Sequence, residues 1–267
     1  MLAFANAKIN LGLNVTRKRA DGYHDIETVF YPVKLNDVVE ITDAEKTVCI
    51  VTGIDVPGNL QDNLCLKAFN MLKKDFDLPA QQITLLKNIP VGAGLGGGSS
   101  DAAQVIKLVN DKFKLGLSAL KMQNYARQLG ADCAFFIENQ PVYAFGKGDE
   151  FQPIAIDLSN YYMVVVKPPV HSSTTVAYAG IKPVIPSRSV KDLIHLPLKT
   201  WREHLQNDFE STVFLKYPEI EQVKTKLYQS GALFSLMSGS GASVFAIFEQ
   251  QVSLPELEKG NTVYYYV

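Results

Sequence analysis

The chain has few cysteines, no excess of charge of one sign and no long apolar run. Its three cysteines, Cys49, Cys65 and Cys133, are odd in number and lack Cys-x-x-Cys spacing, which argues against a disulfide framework and a cysteine metal cluster. A net charge of −1 gives no overall field that would attract nucleic acid or an acidic membrane. No run approaches the ~18 apolar residues of a transmembrane helix, and no basic, then apolar leader opens the chain. We therefore expect a cytoplasmic protein with no nucleic-acid or membrane partner.

Glycine, by contrast, is concentrated in one segment, Pro90 to Asp101, which reads Pro-Val-Gly-Ala-Gly-Leu-Gly-Gly-Gly-Ser-Ser-Asp. Five of the seven residues from 92 to 98 are glycines, so the backbone can turn sharply and approach a ligand without Cβ atoms in the way. A helix is predicted to follow, and its first N–H groups and positive dipole end favour a bound anion. The segment therefore predicts a phosphate-binding loop.

Two familiar phosphate loops do not fit this segment. A Walker loop needs a lysine after the last glycine, and Gly98 is followed by serine. A dinucleotide-binding fingerprint matches the spacing of Gly92, Gly94 and Gly97, but no βαβ repeat surrounds the loop. The region 112–122, where that fingerprint expects an acidic residue, is rich in lysine. The alternatives left are the phosphate loop of another kinase type and a flexible turn without a ligand.

The hydrophobic pattern predicts an α+β protein, and 267 residues are enough for one large or two modest domains. The predicted strands are 2–16, 38–42, 47–52, 83–86, 161–166, 243–248 and 262–267. The predicted helices are one capped by Asp62 or Asn63 that runs to about 76, one capped by Ser99 or Ser100 that runs to about 113, one that starts at Ser118 and ends at Gly130, 198–209 and 217–230. The turn Lys147-Gly148-Asp149 indicates a domain boundary near 147–160, and 183–197 is predicted as a loop with one short helix.

Two segments near the N-terminus carry polar side chains that suit a site. Lys8 and Asn10 alternate with apolar residues on a predicted strand, where a lysine either snorkels to the surface or is aimed into a site. Tyr23 and His24 follow an Asp-Gly turn and offer a stacking face, a hydroxyl and an imidazole, which suit a flat heteroaromatic base. An ordinary turn with an incidental Tyr-His pair is the alternative.

Two further segments follow the glycine-rich loop. Asp132, in Gly130-Ala131-Asp132, comes just after a predicted helix, where a carboxylate serves as a general base or caps nearby N–H groups. Gly239 and Ser240 belong to a second small-residue loop, 237–243, which either presents backbone N–H groups to a substrate or forms a tight turn.

Taken in order, these segments resemble the GHMP kinase superfamily, and within it they look most like the 4-diphosphocytidyl-2-C-methyl-D-erythritol kinases. The Ala-Asp-Gly-Tyr-His piece is the most specific, because the whole superfamily shares the glycine loop. The resemblance implies a two-domain α+β fold, with an S5-like α/β sandwich and the ATP loop at 1–152 and a ferredoxin-like α+β sandwich at 153–267. The matching segments span nearly the whole chain and are Ala7 to Leu11, Arg19 to His24, Asp62 to Leu64, Leu95 to Ala103, Gly130 to Asp132 and Ser238 to Ala242.

The resemblance also implies a reaction, the ATP-dependent phosphorylation of the 2-hydroxyl of 4-diphosphocytidyl-2-C-methyl-D-erythritol in the non-mevalonate isoprenoid pathway. Asp132 would take the hydroxyl proton, and Lys8 would lie beside it, orient the nucleophile and favour the charged carboxylate.

The residues that would bind ATP, as the resemblance implies, are Asn63, Lys87, Pro90, Gly92, Gly94, Leu95, Gly96, Gly97, Gly98, Ser99 and Ser100. Those that would bind the acceptor are Asn10, Tyr23, His24, Asp132, Thr174, Tyr178, Gly239 and Ser240. The cytosine would be sandwiched between Tyr23 and Tyr178, and His24 would read its edge. Magnesium is expected with ATP, and its candidate ligands are Ser99, Ser100 and Asp132.

The chain departs from the family pattern in two places, and three other functions have to be compared with the one that the resemblance implies. Ala134 stands where the family usually has proline, so the turn at Asp132 lacks that fixed φ, and residues 249–267 match poorly. The rivals are another GHMP kinase acting on mevalonate or homoserine, a non-catalytic relative, and a dinucleotide-binding oxidoreductase. Tyr23, His24 and Tyr178 argue against the first, since those acceptors carry no base, and Lys8 with Asp132 argues against the second. The oligomeric state is left open.

Overall fold

The computed structural model describes residues 1–267, which form two compact units whose segments alternate along the chain. Unit 1 contains Met1–Ala7, Leu35–Val91 and Gly96–Gln140. Unit 2 contains Lys8–Lys34, Gly92–Leu95 and Pro141–Val267. The domain division at residue 152 stays a prediction.

Two long strands supply residues to both units: β1 is Leu2–Lys18 and β2, which pairs with it, is His24–Asp43. In unit 1, β3 (Val48–Gly53) runs parallel to β4 (Gln81–Lys87). Strand β4 then pairs antiparallel with the second half of β2, with Val38 opposite Leu86. The predicted strand 38–42 is therefore part of a much longer strand.

Four helices complete unit 1: α1 (Leu64–Phe76), α2 (Gly97–Phe113), α3 (Ala119–Leu129) and α4 (Phe135–Glu138). Short 3₁₀ turns lie at Leu60–Asp62 and Ala131–Ala134. The caps are those that the sequence predicts for two helices, because the side chains of Asn63 and Ser118 accept N–H bonds at the starts of α1 and α3. Helices α1, α2 and α3 pack on one another and place the start of α2 next to the end of β4.

In unit 2 the first half of β2 pairs with β5 (Val142–Phe145), and β5 pairs with β6 (Glu150–Pro153). A separate antiparallel sheet has the order β10-β7-β9-β8. Its strands are β7 (Tyr162–Lys167), β8 (Phe234–Met237), β9 (Val244–Phe248) and β10 (Thr262–Tyr265).

Six helices belong to unit 2, with a 3₁₀ turn at Leu198–Thr200. Helix α8 packs on α9, and α9 packs on β8 and β9 through buried Ile220, Val223 and Leu227. This helix-on-sheet layer is the α+β arrangement that the sequence predicts. The helices are α5 (Thr174–Tyr178), α6 (Val190–Leu193), α7 (Trp201–His204), α8 (Glu210–Lys216), α9 (Pro218–Gln229) and α10 (Pro255–Glu258).

Two local predictions are wrong, and three strands are missed. Neither Ser99 nor Ser100 caps α2, because the helix begins at Gly97 and its N-cap is Gly96. The predicted helix 198–209 is interrupted, since α7 ends at His204 and the next helix begins only at Glu210. Strands β5, β6 and β8 have no counterpart among the predicted strands. No helix in the structure combines the length and the apolar character needed to cross a bilayer.

Candidate active site

The second half of the glycine-rich loop leads directly into α2, in unit 1. Gly96 has a left-handed conformation, with φ 70° and ψ 14°, which glycine adopts without the Cβ clash that other residues suffer. No side chain caps the helix, so the N–H groups of its first turn are left for another acceptor. The positive end of the helix dipole lies at the same place, and together these features suit a phosphate.

Two buried polar atoms in this first turn, Ser100 Oγ and Asp101 Oδ1, have no hydrogen-bond partner. A buried polar atom without a partner costs about 1–3 kcal/mol, so a bond supplied by a ligand is a natural explanation for the hydroxyl. Ser99 is half-buried and shares a hydrogen bond with the Cys133 thiol, whose pKa burial raises to about 11.

Lys87 lies under this loop as the centre of a buried charge cluster. Its ammonium is 3% exposed and donates to both Asp37 and Asp101, with 2.8 Å between Nζ and Asp101 Oδ2. Asp37 also accepts the backbone N–H of Asn88 and Ile89, at 2.6 and 2.8 Å. The cluster therefore ties the end of β4 and the chain that enters the loop to the first turn of α2. A nucleotide contact of Lys87 stays a prediction.

Burial raises the pKa of Asp101 to about 8, with Lys87 opposing the shift and Asp37 adding to it. Burial pulls the pKa of Lys87 down, but its two carboxylate partners outweigh this and leave that pKa above its usual value. The Asp101 carboxyl therefore keeps its proton to a higher pH in the folded chain than in the unfolded chain, where its pKa is near 3.9.

We predict that this proton makes stability depend on pH. Because the folded-state pKa of Asp101 is the higher one, the free energy of unfolding should fall as the pH rises from about 4 to about 8. The Asp101→Asn variant cannot lose the proton and should show a weaker fall over the same window. Urea unfolding of both proteins near pH 5, 7 and 9 measures the difference, and parallel profiles would contradict the raised pKa.

Asp132 lies in the 3₁₀ turn Ala131–Ala134, which follows Gly130 at the end of α3. The Cys133 N–H donates to the Gly130 carbonyl at 3.2 Å, and Ala134 has φ −65°. That φ is the value a proline would impose, so the turn keeps the expected backbone shape without proline. The Asp132 carboxylate is half-buried, which leaves part of it accessible to a substrate.

Lys8 and Asn10 lie on the same face of β1, in unit 2, because they are two residues apart on a strand. They are only 3% and 1% exposed. Lys8 Nζ donates to Asn10 Oδ1 at 2.7 Å and to the Gly94 carbonyl at 3.3 Å, and it lies 4.8 Å from the Phe30 ring centroid. Asn10 Nδ2 donates to Thr28 Oγ1 at 3.0 Å, which fixes the amide orientation. Of the two predictions for Lys8, burial favours an ammonium aimed inward over one that snorkels.

The first half of the glycine-rich loop packs closely against two other segments of unit 2. A Cβ on Gly94 would lie 1.9 Å from the Ser238 carbonyl oxygen, and a Cβ on Gly92 would lie 2.5 Å from His171 Cε1. Ser238 Oγ also donates to the Gly94 carbonyl at 2.8 Å. The two small-residue loops therefore meet backbone to backbone, and Gly239 is buried beside this contact.

The structure brings His24 and Tyr178 together. Their rings stack with centroids 4.7 Å apart and planes 24° apart, and Phe209 meets Tyr178 edge-on at 4.7 Å. Tyr23 is 65% exposed, with the Lys147 ammonium 5.5 Å from its ring centroid. The sandwich of a base between Tyr23 and Tyr178 stays a prediction, since it is His24 that covers Tyr178 here.

The other predicted site residues have less distinctive surroundings. Thr174 is the exposed first residue of α5, the helix that ends at Tyr178. Asn63 uses Oδ1 to cap α1. Pro90, Gly98 and Ser240 are at least partly accessible, and Leu95 and Gly97 are buried. Their contacts with ligands stay predictions.

Sequence reasoning missed four polar residues that hold the site together: Thr28, Asp37, Asp101 and Asn207. The hydrophobic periodicity places Thr28 and Asp101 on the buried face of their strand and helix, although both are polar. A polar residue at a position predicted to be buried is the signal that could have identified them. Asn207 falls inside the segment predicted as a helix, and no periodicity distinguishes it there.

Two family models match the chain, GHMP kinases N terminal domain over residues 63–146 and GHMP kinases C terminal over residues 189–260. A protein of Bacteroides thetaiotaomicron named 4-diphosphocytidyl-2-C-methyl-D-erythritol kinase is 49% identical over 268 residues, which cover 99% of this chain and 98% of the relative.

The fold is similar to solved structures of the same group. A crystal structure of 4-(cytidine 5'-diphospho)-2C-methyl-D-erythritol kinase has a TM-score of 0.81 and 29% identity, covering 99% of this chain and 98% of that one. A homoserine kinase from Cytophaga hutchinsonii has a TM-score of 0.69 at 17% identity, covering 100% of this chain and 94% of that one, which is a likeness of fold alone.

Proposed function

The chain belongs to the GHMP kinases, and we propose that it phosphorylates 4-diphosphocytidyl-2-C-methyl-D-erythritol. The terminal phosphoryl group of ATP passes to the 2-hydroxyl, giving the 2-phosphate and ADP, a step of the non-mevalonate isoprenoid pathway. The observation that carries this function is the 49% identity to a kinase of that name over 99% of the chain.

The glycine-rich loop binds the ATP phosphates in this proposal. Phosphoryl transfer leaves the protein little covalent chemistry, so positioning and charge stabilisation dominate. The uncapped N–H groups at the start of α2 and the unpartnered hydroxyl of Ser100 support this role. Asn63, Lys87 and Pro90 are assigned to the same nucleotide by family likeness alone.

Asp132 and Lys8 carry the chemistry on the acceptor hydroxyl. Asp132 accepts the hydroxyl proton as the oxygen attacks phosphorus, the role of a general base. Lys8 orients that oxygen and offsets the negative charge that develops around it. The neutral acceptors Asn10 and Gly94 hold the Lys8 ammonium in place.

The cytidine end of the acceptor belongs to the ring cluster. Tyr178 and Tyr23 supply faces on which a base stacks, and His24 supplies a donor and an acceptor for the base edge. The His24–Tyr178 contact supports this assignment, because it places two of these three side chains together in unit 2, and the base would stack on a Tyr178 face that His24 does not cover. Thr174, Gly239 and Ser240 are assigned to the rest of the acceptor by family likeness.

Magnesium is part of the proposal. In sites of this kind Mg²⁺ is bound by phosphate oxygens, waters and one or two protein groups. Ser100 fits that pattern, since its buried Oγ has no hydrogen-bond partner within the protein. Ser99, Ser100 and Asp132 would hold the ion, which neutralises phosphate charge when bound.

We also propose the compartment in which the reaction takes place and the boundary between the two domains. Three buried free thiols, Cys49, Cys65 and Cys133, favour a reducing compartment, and we place the reaction in the cytoplasm. We keep the division into domains 1–152 and 153–267, and the two family matches lie on either side of it.

The function is tested by ADP release with ATP and magnesium, comparing three acceptors. Turnover is expected with the cytidylyl substrate and not with mevalonate or homoserine. The second candidate, a mevalonate- or homoserine-type kinase, has the fold likeness to homoserine kinase in its favour. Turnover with one of those acceptors would establish it and discard the base site.

We predict that Tyr23→Ala raises KM for the cytidylyl substrate by about 5- to 150-fold, the equivalent of ~1–3 kcal/mol for one stacked base. KM for ATP should stay near the wild-type value. Tyr23→Phe keeps the ring and should restore most of the affinity. Tyr266→Ala, which removes a tyrosine of similar exposure, serves as the control. An equal rise in both KM values would refute a stacking role.

A further inference from the structure

Asn207 lies between α7 and α8, outside every segment that the proposed function uses, and it is 2% exposed. Its Nδ2 donates to the carbonyls of Met237 and Gly239, both at 2.8 Å. Its Oδ1 accepts the Phe209 N–H at 3.0 Å. The three bonds leave only one orientation for the amide, because the other would set oxygen against two carbonyls.

The two carbonyls that Asn207 binds lie on either side of Ser238. Ser238 Oγ donates to the Gly94 carbonyl at 2.8 Å and lies 3.4 Å from Asn10 Oδ1. Asn10 Oδ1 and the Gly94 carbonyl both accept from the Lys8 ammonium. A continuous series of contacts therefore runs from the Asn207 amide to the Lys8 ammonium.

The turn that carries Asn207 is itself bonded to β1. The Leu13 N–H donates to the Gln206 carbonyl at 2.8 Å, and the Asp208 N–H donates to the Leu13 carbonyl at 2.9 Å. Asp208 Oδ2 accepts the Val15 N–H at 2.7 Å. Asn207 is thus fixed to the strand that carries Lys8 and Asn10, and it holds the second small-residue loop at a set distance from that strand.

We propose that Asn207 is a positioning residue for phosphoryl transfer, a role that rests on the proposed function. It holds the backbone on both sides of Ser238 so that Ser238 Oγ stays bonded to the Gly94 carbonyl. This bond fixes the oxygen atoms that accept from the Lys8 ammonium. Asn207 acts only through this loop, without a contact to ATP or the acceptor. A displacement of ~1 Å at a reacting group can lower a rate by about 10²-fold.

The test uses Asn207→Asp, which keeps the size of the side chain but removes both donors, and Asn207→Ala. The control is Ser235→Ala, which deletes a buried bond from Ser235 Oγ to the Phe245 carbonyl at 2.9 Å, on the strand that leads into the loop. The Asn207 variants should lose about 10- to 100-fold in kcat. Each KM should change by a smaller factor than kcat, because the two loops also carry ligand-binding residues, and the control should keep its kcat.

Hydrogen exchange measured by mass spectrometry adds a readout that does not need turnover. Peptides that cover 92–96 and 236–243 should exchange faster in the Asn207 variants and not in the control. Normal kcat, or a loss of kcat no larger than the unfolded fraction, would overturn the proposal. A wild-type protein that binds ATP but phosphorylates no acceptor would refute the proposed function and with it the catalytic role. In that case the exchange data alone would test whether Asn207 holds the two loops together.

Discussion

Asp132→Asn is expected to lower kcat by about 10²–10⁴-fold, the usual contribution of a general base, while nucleotide affinity stays near the wild-type value. An amide has the size of the carboxylate but does not accept the hydroxyl proton. Asp132 lies half-buried in a short 3₁₀ turn, so the exchange leaves the packing of unit 1 intact. ADP release and equilibrium binding of a fluorescent ATP analogue measure the two quantities separately.

Glu138→Gln is the matched control for this variant. Glu138 is an exposed carboxylate at the end of α4, in the same helical run as Asp132, and it accepts a bond from Gln123 at 2.9 Å. A glutamine can still accept that bond, so kcat should be unchanged. Full activity in Asp132→Asn would remove Asp132 as the base, and a parallel loss of ATP binding would indicate damage to the fold.

Gly94→Ala should lower kcat by more than about 10²-fold. The new Cβ would lie 1.9 Å from the Ser238 carbonyl oxygen and 3.3 Å from the Gly241 nitrogen, so one backbone segment must move. The Gly94 carbonyl accepts bonds from both Lys8 and Ser238, and its movement displaces the ammonium as well. Steady-state kinetics on the folded variant measure the loss.

Gly116→Ala is the control that distinguishes the effect of this steric clash from the effect of backbone strain alone. Gly116 has φ +65°, close to the +78° of Gly94, but nothing lies within 4 Å of its ideal Cβ. Both variants pay the left-handed penalty of about 1–2 kcal/mol, and only Gly94→Ala has the clash. Thermal unfolding should show a loss of stability in both, with kcat lost in one. Equal kcat in the two variants would contradict the positional role of Gly94.

The sequence predicts those parts of the site that depend on local chemistry. The glycine-rich loop can be recognised because the glycines that its backbone conformation requires are close together in the sequence. Asn63 and Ser118 predict helix starts because a capping side chain binds an N–H group only two or three residues away. Lys8 and Asp132 were found through the order of the matching segments. The order of the matching segments indicates the kinase family and the hydrophobic pattern predicts the α+β fold, and the comparisons confirm both.

The parts that the sequence does not predict depend on contacts between distant residues. Ser99 and Ser100 are good capping residues, but a left-handed Gly96 already turns the chain, so the helix starts earlier and leaves the hydroxyls for other partners. Asp37 and Asp101 lie far apart in the sequence and come together around the Lys87 ammonium. The segment around Asn207 has helical composition, yet its backbone bonds to Leu13 of β1 draw it out of a helix.

The bonds between β1 and the turn at Asn207 also set a time order for folding during synthesis. The Val15 N–H and its acceptor Asp208 are 193 positions apart, and the Val15 carbonyl accepts the N–H of Val184. At about 5–20 residues per second, a ribosome needs roughly 10–40 s to make the chain between Val15 and Asp208. Strand β1 therefore leaves the ribosome long before it gains its full set of partners.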